Sequence, residues 1–364
     1  MKLINSSFSE MAQYIKASNS RVIMFGAGVI GQITVPEILR QYGLIDSIDL
    51  FIDNDSRKWQ TKICLYGREI DVAGPASLET AENSVVLVNI SRFSSVLDQL
   101  NSMDSLKDTH VYLVPAMCIE DFCQASSSGR TVLTEKAVIP KKIHYIWLGK
   151  KDIPDRLKKC IDSWKKYCPD YEIIRWDEDN YDFSGNRYMK ETYSAGAYGF
   201  VPDYARLDIL YRYGGIYLDT DVEVVRSLDP LLNQEAFCGV EKWQTINFGG
   251  CSGAAKGNRV IKRFLDARED LSFINDDGSE NRNTCGFYDS RVAIDLGYRI
   301  DGTTQCIDGM NIYGYDYFHP YDYMSGKLNR TENTYTIHWF NGGWLSEEQK
   351  AANLKAKAYF DESE

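Results

Sequence analysis

Short apolar runs alternate with amphipathic stretches through the first third of the chain. The apolar runs have the length and composition of buried parallel strands, and they lie at 22–25, 48–52, 85–88 and 110–114. The amphipathic stretches predict helices, and they lie at 1–18, through 39–40, and at 94–100. This alternation predicts an α/β fold whose first part is a small doubly wound parallel sheet.

A glycine-rich turn follows the first apolar run. Gly26, Gly28 and Gly31 have the spacing G-x-G-x-x-G, and Asp53 ends the next predicted strand 22 residues after Gly31. A dinucleotide-binding fingerprint requires this context, since its glycines let a pyrophosphate approach a helix N-terminus. The alternative is that the glycines only pack the first helix on the sheet. This half resembles the small Rossmann-like N-terminal domains of bacterial polysaccharide-modifying enzymes, so we favour an accessory binding or assembly role over a dehydrogenase.

A stretch of small polar residues at 124–130 is the best candidate for a linker. We therefore predict an accessory domain at 1–123, a linker at 124–138 and a second domain at 139–364. The second domain opens with an apolar run at 143–148, followed by a predicted helix at about 154–167 and a strand at 171–176.

The most informative segment of the second domain runs from a helix through a double glycine into a strand. The helix is predicted over about 202–213, and Gly214 and Gly215 end it because glycine suits the left-handed conformation there. A strand at 216–218 then leads into Asp219-Thr220-Asp221, and the chain continues extended over 222–225. Two carboxylates separated by one residue point to the same side of an extended chain. They predict a site for one hard divalent cation that bridges a diphosphate.

The Asp-x-Asp spacing alone has little specificity. It also occurs at Asp53/Asp55 and Asp177/Asp179, where turn preference explains it. The helix and strand that precede Asp219 set the third pair apart. The helix carries Asp203 and Arg206 three residues apart and so on one face, although a surface ion pair is the simpler explanation of that spacing.

The segment from Asp203 to Asp221 strongly resembles the sugar-binding region of glycosyltransferases with an Asp-x-Asp motif. These are the family 32 enzymes, which include yeast-type initiating mannosyltransferases and bacterial capsular polysaccharide transferases. The resemblance runs from about Ile139 to Leu345. It implies that Asp203 bonds sugar hydroxyls, that Arg206 contacts the sugar or diphosphate, and that Asp219 touches ribose, sugar or metal-bound water. It also implies that Asp221 binds the metal directly.

Other segments fit the same family in the same order. The opening strand contains Ile146 and Trp147, and the resemblance implies that Trp147 stacks on the nucleotide base while the backbone beside it bonds the base edge; a core role for Trp147 is the alternative. Asn247 matches a family Asn that lines the sugars, although an Asn in a turn explains it equally well. The segment 283–286 matches the family poorly, and we assign nothing to it.

The closing segment, Thr336 to Trp344, resembles the family's His-x-x-x-x-x-Trp pattern. The resemblance places His338 at the metal or the diphosphate, and Trp344 over the phosphates or the sugar. The family usually has Ser before the final Trp, whereas this chain has Gly343, which removes a hydroxyl contact.

Together these features imply a GT-A type domain after the Rossmann-like one, with Mn²⁺ or Mg²⁺ and a nucleotide sugar bound. The resemblance implies that the transfer retains anomeric configuration. Since no carboxylate stands out as a covalent nucleophile, we hypothesise a front-face displacement in which the leaving phosphate takes the acceptor proton. We expect a hexose or N-acetylhexosamine to move from a UDP-sugar to a saccharide, with a lipid-linked one as an option, in capsule or O-antigen synthesis. The alternatives are an NAD(P)-linked oxidoreductase, a non-catalytic polysaccharide-assembly protein and, with least support, a glucosylating toxin.

Composition excludes other classes. Lys and Arg number 41 against 52 Asp and Glu, a net charge of −11, which argues against a nucleic-acid partner. No apolar stretch approaches the roughly 18 residues of a membrane helix, and the N-terminus lacks a secretory signal pattern. We therefore expect a cytoplasmic protein, at most peripheral at the inner face of the cell membrane, whose nine cysteines are reduced and mostly buried.

Overall fold

The computed structural model describes residues 1–80, 82–123, 129–341, 351, 354 and 355. Its first half contains seven strands and four α-helices, with a short π-helix at Ile30–Thr34 before the second of them. In chain order they are β1 (Lys2–Ile4), α1 (Phe8–Ser18), β2 (Arg21–Phe25), α2 (Val35–Gln41), β3 (Ile48–Ile52), β4 (Lys62–Leu65), β5 (Arg68–Ala73), β6 (Ser84–Val88), α3 (Ser94–Asn101), β7 (His110–Leu113) and α4 (Val114–Phe122).

These strands form one sheet in the order β1-β7-β6-β2-β3-β5-β4. Every neighbouring pair is parallel except β4 and β5. The central strand β2 buries Val22 through Phe25 completely, as the continuous apolar run predicted. The predicted parallel α/β arrangement of this half is confirmed.

Two predictions for this half were wrong in detail, and one pair of strands was missed. Lys2–Ile4 is a strand paired with β7 and not the start of the first helix, because Ser7 caps that helix with a reciprocal bond to Glu10. The hairpin of β4 and β5 was missed because its alternating polar residues carry no continuous apolar run. The strand at 110–114 ends at Leu113, where Pro115 favours the start of α4.

The second half contains ten strands and six α-helices. In chain order they are β8 (Lys142–Ile146), α5 (Asp155–Tyr167), β9 (Glu172–Trp176), α6 (Arg187–Ser194), α7 (Pro202–Tyr213), β10 (Gly215–Tyr217), β11 (Val222–Val224), β12 (Ala236–Val240), β13 (Ile246–Asn247), β14 (Ser252–Ala254), α8 (Arg259–Asp266), α9 (Cys285–Asp295), β15 (Gln305–Ile307), β16 (Met310–Tyr313), α10 (Tyr315–Phe318) and β17 (Thr336–His338).

The main sheet of this half has the order β15-β16-β12-β14-β10-β8-β9, with β13 paired to β12. Strands β8, β9 and β10 run parallel to one another, while β14 runs antiparallel between β10 and β12. A separate ribbon pairs β11 with β17. This mixed α/β sheet places the chain after β10 beside the glycine-rich chain before β14, and the ribbon brings β17 next to the residues that follow β10.

Helix α5 anchors the ribbon. Its Trp164 is fully buried, and the indole N–H donates to the carbonyl of Val222 at 2.7 Å. The Ser163 hydroxyl accepts from the Val224 N–H at 2.9 Å. One face of α5 therefore fixes the strand that directly follows the Asp-x-Asp motif.

The two halves touch each other. The Thr34 hydroxyl donates to the carbonyl of Trp243 at 2.7 Å, and the Asn329 amide donates to the carbonyl of Cys123 at 3.2 Å. Residues 129–134, in the predicted linker, bond to the second half through Arg130 and Thr134. The domain limits themselves stay a prediction.

Six of the nine cysteines are buried, as predicted. Within the described part of the chain, no helix has the length and apolar character needed to cross a membrane.

Candidate active site

Helix α7 brings two oppositely charged side chains into the interior. Asp203 and Arg206 are each only 4% exposed, and Arg206 Nη2 lies 3.3 Å from Asp203 Oδ1. Arg206 Nε also donates to the Pro202 carbonyl at 3.0 Å. Buried charges occur almost only when they are paired. The surface ion pair considered above is therefore excluded, since both residues lie inside.

The double glycine lets α7 turn straight into β10. Gly214 and Gly215 have φ angles of +66° and +107°. A Cβ on Gly215 would lie 2.8 Å from His144 Nε2, and that nitrogen is 2.8 Å from the Gly214 carbonyl oxygen. A larger residue at either position would strain the backbone and displace neighbours. The turn therefore fixes the distance between Arg206 and the residues after β10.

Asp219 is held toward Arg206. Its N–H donates to the Gly249 carbonyl at 2.8 Å, and its Oδ1 accepts from the Tyr217 hydroxyl at 3.1 Å. The same oxygen lies 3.5 Å from Arg206 Nη2. A Cβ on Gly249 would lie only 2.1 Å from Asp219 Oδ2, so a larger residue there would displace the Asp219 carboxylate. Arg206 thus bridges Asp203 and Asp219.

Asp221 has different partners. Its Oδ1 lies 3.3 Å from His338 Nε2, and its Oδ2 accepts from the Asn341 N–H at 2.7 Å. Burial opposes ionisation, but His338 and the Asn341 N–H outweigh it and lower the pKa of Asp221 to about 2. The prediction of two carboxylates on one side of an extended chain was wrong, because residues 220–221 form a turn and each carboxylate turns to its own partner.

His338 reaches Asp221 through the two-stranded ribbon, in which His338 pairs with Val222. The Phe340 ring stacks on the imidazole with centroids 4.1 Å apart. Burial disfavours the charged imidazole, yet Asp221 raises the pKa of His338 above its ordinary value. In this arrangement His338 is therefore a hydrogen-bond partner of Asp221.

The donor chemistry fits a hard cation only in part. Across the described residues, no group of three or more His, Cys, Asp or Glu side chains is arranged to hold a metal. The predicted trio of Asp219, Asp221 and His338 is therefore not assembled as a ready metal site. Two carboxylates do lie within one turn, with side chains 26% and 16% exposed. Mg²⁺ is commonly held by one or two carboxylates together with substrate phosphates, so Asp219 and Asp221 fit that role.

The predicted nucleotide end of the site lies where β8 stops. Ile146 is buried in the core and pairs with Trp176 of β9. Trp147 is half-buried, and its indole N–H donates to the Lys151 carbonyl at 2.6 Å. Its backbone N–H donates to the Trp176 carbonyl at 3.0 Å. These bonds hold the ring of Trp147 in place at the edge of the sheet.

Asn247 is committed mainly to a turn. Its Oδ1 accepts from the N–H groups of Gly249 and Gly250 at 2.7 and 3.0 Å. Its Nδ2 donates to Glu241 Oε1 at 2.7 Å. One amide hydrogen is left for a ligand, fewer contacts than vicinal hydroxyls could take from a free Asn. The alternative that Asn247 is a turn residue is the better description of its oxygen.

Several residues at the site were missed by sequence reasoning. Tyr217 lies inside the recognised motif, and its hydroxyl and ring contact Asp219 and Arg206. Cys285, in the segment to which we assigned nothing, has its Sγ 4.0 Å from Arg206 Nη1. Burial raises the pKa of Glu241, which stands beside Asn247. No motif marked Cys285 or Glu241. Trp344 lies outside the described residues.

The glycine-rich turn of the first half is used for packing. Gly26 has a φ of +111°, and a Cβ on Gly31 would lie 2.1 Å from the Gly26 carbonyl oxygen. The Asp53 carboxylate accepts from the Ala27 N–H at 3.0 Å and contacts Lys58 Nζ at 2.8 Å. In a dinucleotide fingerprint the carboxylate at this position binds a ribose. Here the Asp53 carboxylate instead contacts residues of its own loops. These contacts favour the packing alternative.

Comparison with known proteins shows which family one part of the chain matches. Residues 154–238, which span α5 to β12, match the family model described as glycosyltransferase sugar-binding region containing DXD motif. The chain is 40% identical over 139 residues to inositol phosphoceramide mannosyltransferase 3 of Schizosaccharomyces pombe, covering 36% of this chain and 37% of that protein. It is 39% identical over 108 residues to mannosyl phosphorylinositol ceramide synthase SUR1 of Saccharomyces cerevisiae, covering 28% of this chain and 27% of that one. The matched segments therefore span about a quarter to a little more than a third of the length of these relatives.

Among solved structures, the PaToxG glycosyltransferase matches at 17% identity over 57% of this chain and 78% of its own, with a TM-score of 0.35. A TM-score this low supports no inference about this chain. The fold class rests on the strands and helices described above, and the predicted enzyme class agrees with the family match and with the names of the relatives. Residues 154–238 thus match a glycosyltransferase sugar-binding region with a DXD motif, and α7, β10 and the turn at Asp219 to Asp221 lie within that region.

Proposed function

We propose that the protein is a metal-dependent, retaining glycosyltransferase of the GT-A type that moves a hexosyl group from a nucleotide sugar to a hydroxyl of a saccharide acceptor. One observation carries the proposal. Within the matched region, the buried pair of Asp203 and Arg206 lies directly against Asp219 of the DXD turn. A buried carboxylate beside a buried guanidinium suits a ligand that presents sugar hydroxyls and phosphate oxygens together.

In the reaction that we propose, the bond between the anomeric carbon and the diphosphate oxygen breaks. The acceptor hydroxyl oxygen forms the new bond on the same face, and its proton passes to the leaving diphosphate. Arg206 stabilises the charge that develops on that diphosphate, and Asp203 accepts hydrogen bonds from the sugar hydroxyls. Asp221 and Asp219 would hold the divalent cation, whose chemistry is to neutralise the charge of the diphosphate.

The ionisation state of Asp203 sets the pH range of binding. Burial raises the pKa of this carboxyl to about 6, against the opposing effects of Arg206 and Arg268. A neutral carboxyl is a weaker acceptor for hydroxyl groups than a carboxylate. We therefore expect donor binding to strengthen as the pH rises through about 6.

The family match specifies neither the donor nor the acceptor. We retain UDP as the predicted nucleotide and a capsular or O-antigen saccharide as one predicted acceptor. The fungal relatives are named as a mannosyltransferase of inositol phosphoceramide and a mannosyl phosphorylinositol ceramide synthase. GDP-mannose and a glycolipid acceptor therefore belong in the same test. The cytoplasmic location stays a prediction, as does peripheral contact with a membrane.

The test measures nucleotide release from a panel of UDP- and GDP-sugars, with Mn²⁺, with Mg²⁺ and with a chelator. Asp221→Ala is compared with Asp179→Ala, a matched change in an Asp-x-Asp pair whose Asp179 side chain is 82% exposed. We expect metal-dependent release from one donor, lost in Asp221→Ala and kept in Asp179→Ala. Nucleotide release that is unchanged by the chelator and by Asp221→Ala would contradict the proposal. The failure of every donor to bind in the presence of metal would also contradict it.

A further inference from the structure

A second buried ion pair lies behind the first. Arg268 follows α8 and Asp289 lies on α9, and their side chains are 2% and 3% exposed. Arg268 donates to Asp289 Oδ1 through both Nε, at 3.1 Å, and Nη2, at 2.7 Å. Neither residue belongs to the motifs from which the function was predicted.

Cys285 connects this pair to the site. Its carbonyl accepts from Arg268 Nη2 at 3.3 Å, while its thiol lies 4.0 Å from Arg206 Nη1. Asp289 stands one helical turn after Cys285 on α9. The two guanidinium groups therefore hold the first residue of α9 between them, one through its backbone and one through its side chain.

The charges of this region alternate in sign. Passing from α9 to the DXD turn, they are Asp289, Arg268, Asp203, Arg206 and Asp219, where Arg268 and Asp203 interact electrostatically and the other neighbours form ion pairs. Burying ion pairs is costly, and apolar side chains of similar volume often give equal or greater stability. Arg268 Nη1 is moreover buried without a hydrogen-bond partner among the described residues, which costs further free energy. Stability alone therefore does not explain why Arg268 and Asp289 are buried as an ion pair.

We propose that Arg268 and Asp289 are positioning residues that hold Arg206 and Asp203 in the geometry that binds the donor sugar. The proposal rests on the proposed function, because the role of Asp203 and Arg206 toward the donor comes from it. Arg268 fixes the first turn of α9, which limits where the Arg206 guanidinium can lie. Its positive charge also favours the ionised form of Asp203, against the effect of burial.

The decisive variant is Arg268→Met/Asp289→Leu, which replaces the buried pair by apolar groups of similar volume. Arg268→Met alone leaves Asp289 buried without its partner, so we expect its melting temperature to fall and the double variant to recover it. Arg268→Lys keeps the charge but loses the two-pronged contact, and we expect an intermediate effect on donor binding. The control is Arg212→Met, which breaks an ion pair with Asp208 on the same helix at an exposed position.

The readout is the affinity for a nucleotide sugar relative to the free nucleoside diphosphate, measured by calorimetry. A positioning role predicts that this ratio falls by about tenfold or more in the double variant although the variant is folded and stable, because losing a hydrogen bond between the sugar and a charged group costs about 10- to 100-fold in affinity. It also predicts that the pH below which donor binding weakens is higher in the double variant than in the parent protein. An unchanged ratio in a stable double variant would overturn the proposal.

A second readout needs no donor. Alkylation of the partly exposed Cys285 by iodoacetamide is followed by mass spectrometry, with Cys306, also partly exposed, as the internal reference. We expect the double variant to alkylate Cys285 several-fold faster than the parent protein, and an unchanged rate would count against positioning. If the parent protein binds no nucleotide sugar at all, the proposed function fails, while the Cys285 rate still decides whether Arg268 and Asp289 hold this turn.

Discussion

Asp203→Asn should raise the unfolding free energy of the protein and lower its affinity for the donor. Asp203 is 4% exposed, and burial raises the pKa of its carboxyl from the ordinary 3.8 to about 6. Because the folded pKa lies above the unfolded one, folding favours the protonated carboxyl. The resulting cost in stability is absent below about pH 4, develops as the pH rises and is complete above about pH 6. A displacement of this size corresponds to about 3 kcal/mol.

Asparagine resembles the neutral carboxyl and carries no charge at any pH. We therefore expect Asp203→Asn to exceed the parent protein in unfolding free energy by up to about 3 kcal/mol at pH 8. The excess should shrink by about 1–2 kcal/mol at pH 5, where the parent carboxyl is already protonated in the folded state. The loss of a charged hydrogen-bond acceptor should weaken donor binding by about 10- to 100-fold.

The assay is urea unfolding followed by tryptophan fluorescence at pH 5 and pH 8. Six of the seven tryptophans follow residue 139, so the signal reports mainly on the half that contains Asp203. Asp162→Asn, which changes a surface carboxylate paired with Lys165, is the control and should shift stability by less than about 1 kcal/mol. The reasoning is refuted if Asp203→Asn is less stable than the parent at pH 8. It is also refuted if the difference is the same at both pH values, since the ion pair with Arg206 would then outweigh burial.

Three further substitutions test other parts of the site. Trp147→Ala should weaken nucleotide binding by about 10- to 100-fold if the ring stacks on the base; equal affinity in a titration would assign the ring to packing. Gly249→Ala places a methyl group 2.1 Å from Asp219 Oδ2 and should lower donor turnover on the order of 100-fold. The matched Gly185→Ala, whose nearest atom is 3.5 Å away, should keep full turnover. Trp164→Phe leaves a buried carbonyl of β11 without its donor and should reduce the unfolding free energy by about 1–3 kcal/mol, measured by denaturant melts; no change would show that the bond is replaced.

Some parts of the fold could be predicted because a local pattern determines them. The apolar run at 22–25 is buried on both faces of the first sheet, and the helix ending before Gly214 occupies Pro202–Tyr213 as predicted. The hairpin Lys62–Leu65 with Arg68–Ala73 was not predictable in this way. It lies at the edge of the sheet, where one face meets water and the apolar pattern is weak.

The candidate site shows the same division. The spacing of Asp203 and Arg206 placed both on one helical face, and the motif placed Asp219 after the strand. The separate partners of Asp219 and Asp221 could not be predicted, because a turn replaces the extended chain at 220–221 and His338 comes from a strand more than 100 residues later. Asn247 illustrates the limit for a single residue, since the sequence allowed both a sugar contact and a turn, and its three hydrogen bonds favour the turn.

The sequence by itself determined the α/β class, the helix–glycine–strand path into the DXD turn, and the residue types available for sugar and phosphate. These follow from short-range periodicity, glycine stereochemistry and the chemistry of carboxylate and guanidinium groups. Only the tertiary structure decided which charges are buried together. Arg268, Asp289 and Cys285 come from α9 and the chain after α8, far along the sequence from Asp203, and no local pattern records that they meet. Burial and pairing depend on the packing of distant segments, which is why the ionisation of Asp203 and the support behind Arg206 appear only in three dimensions.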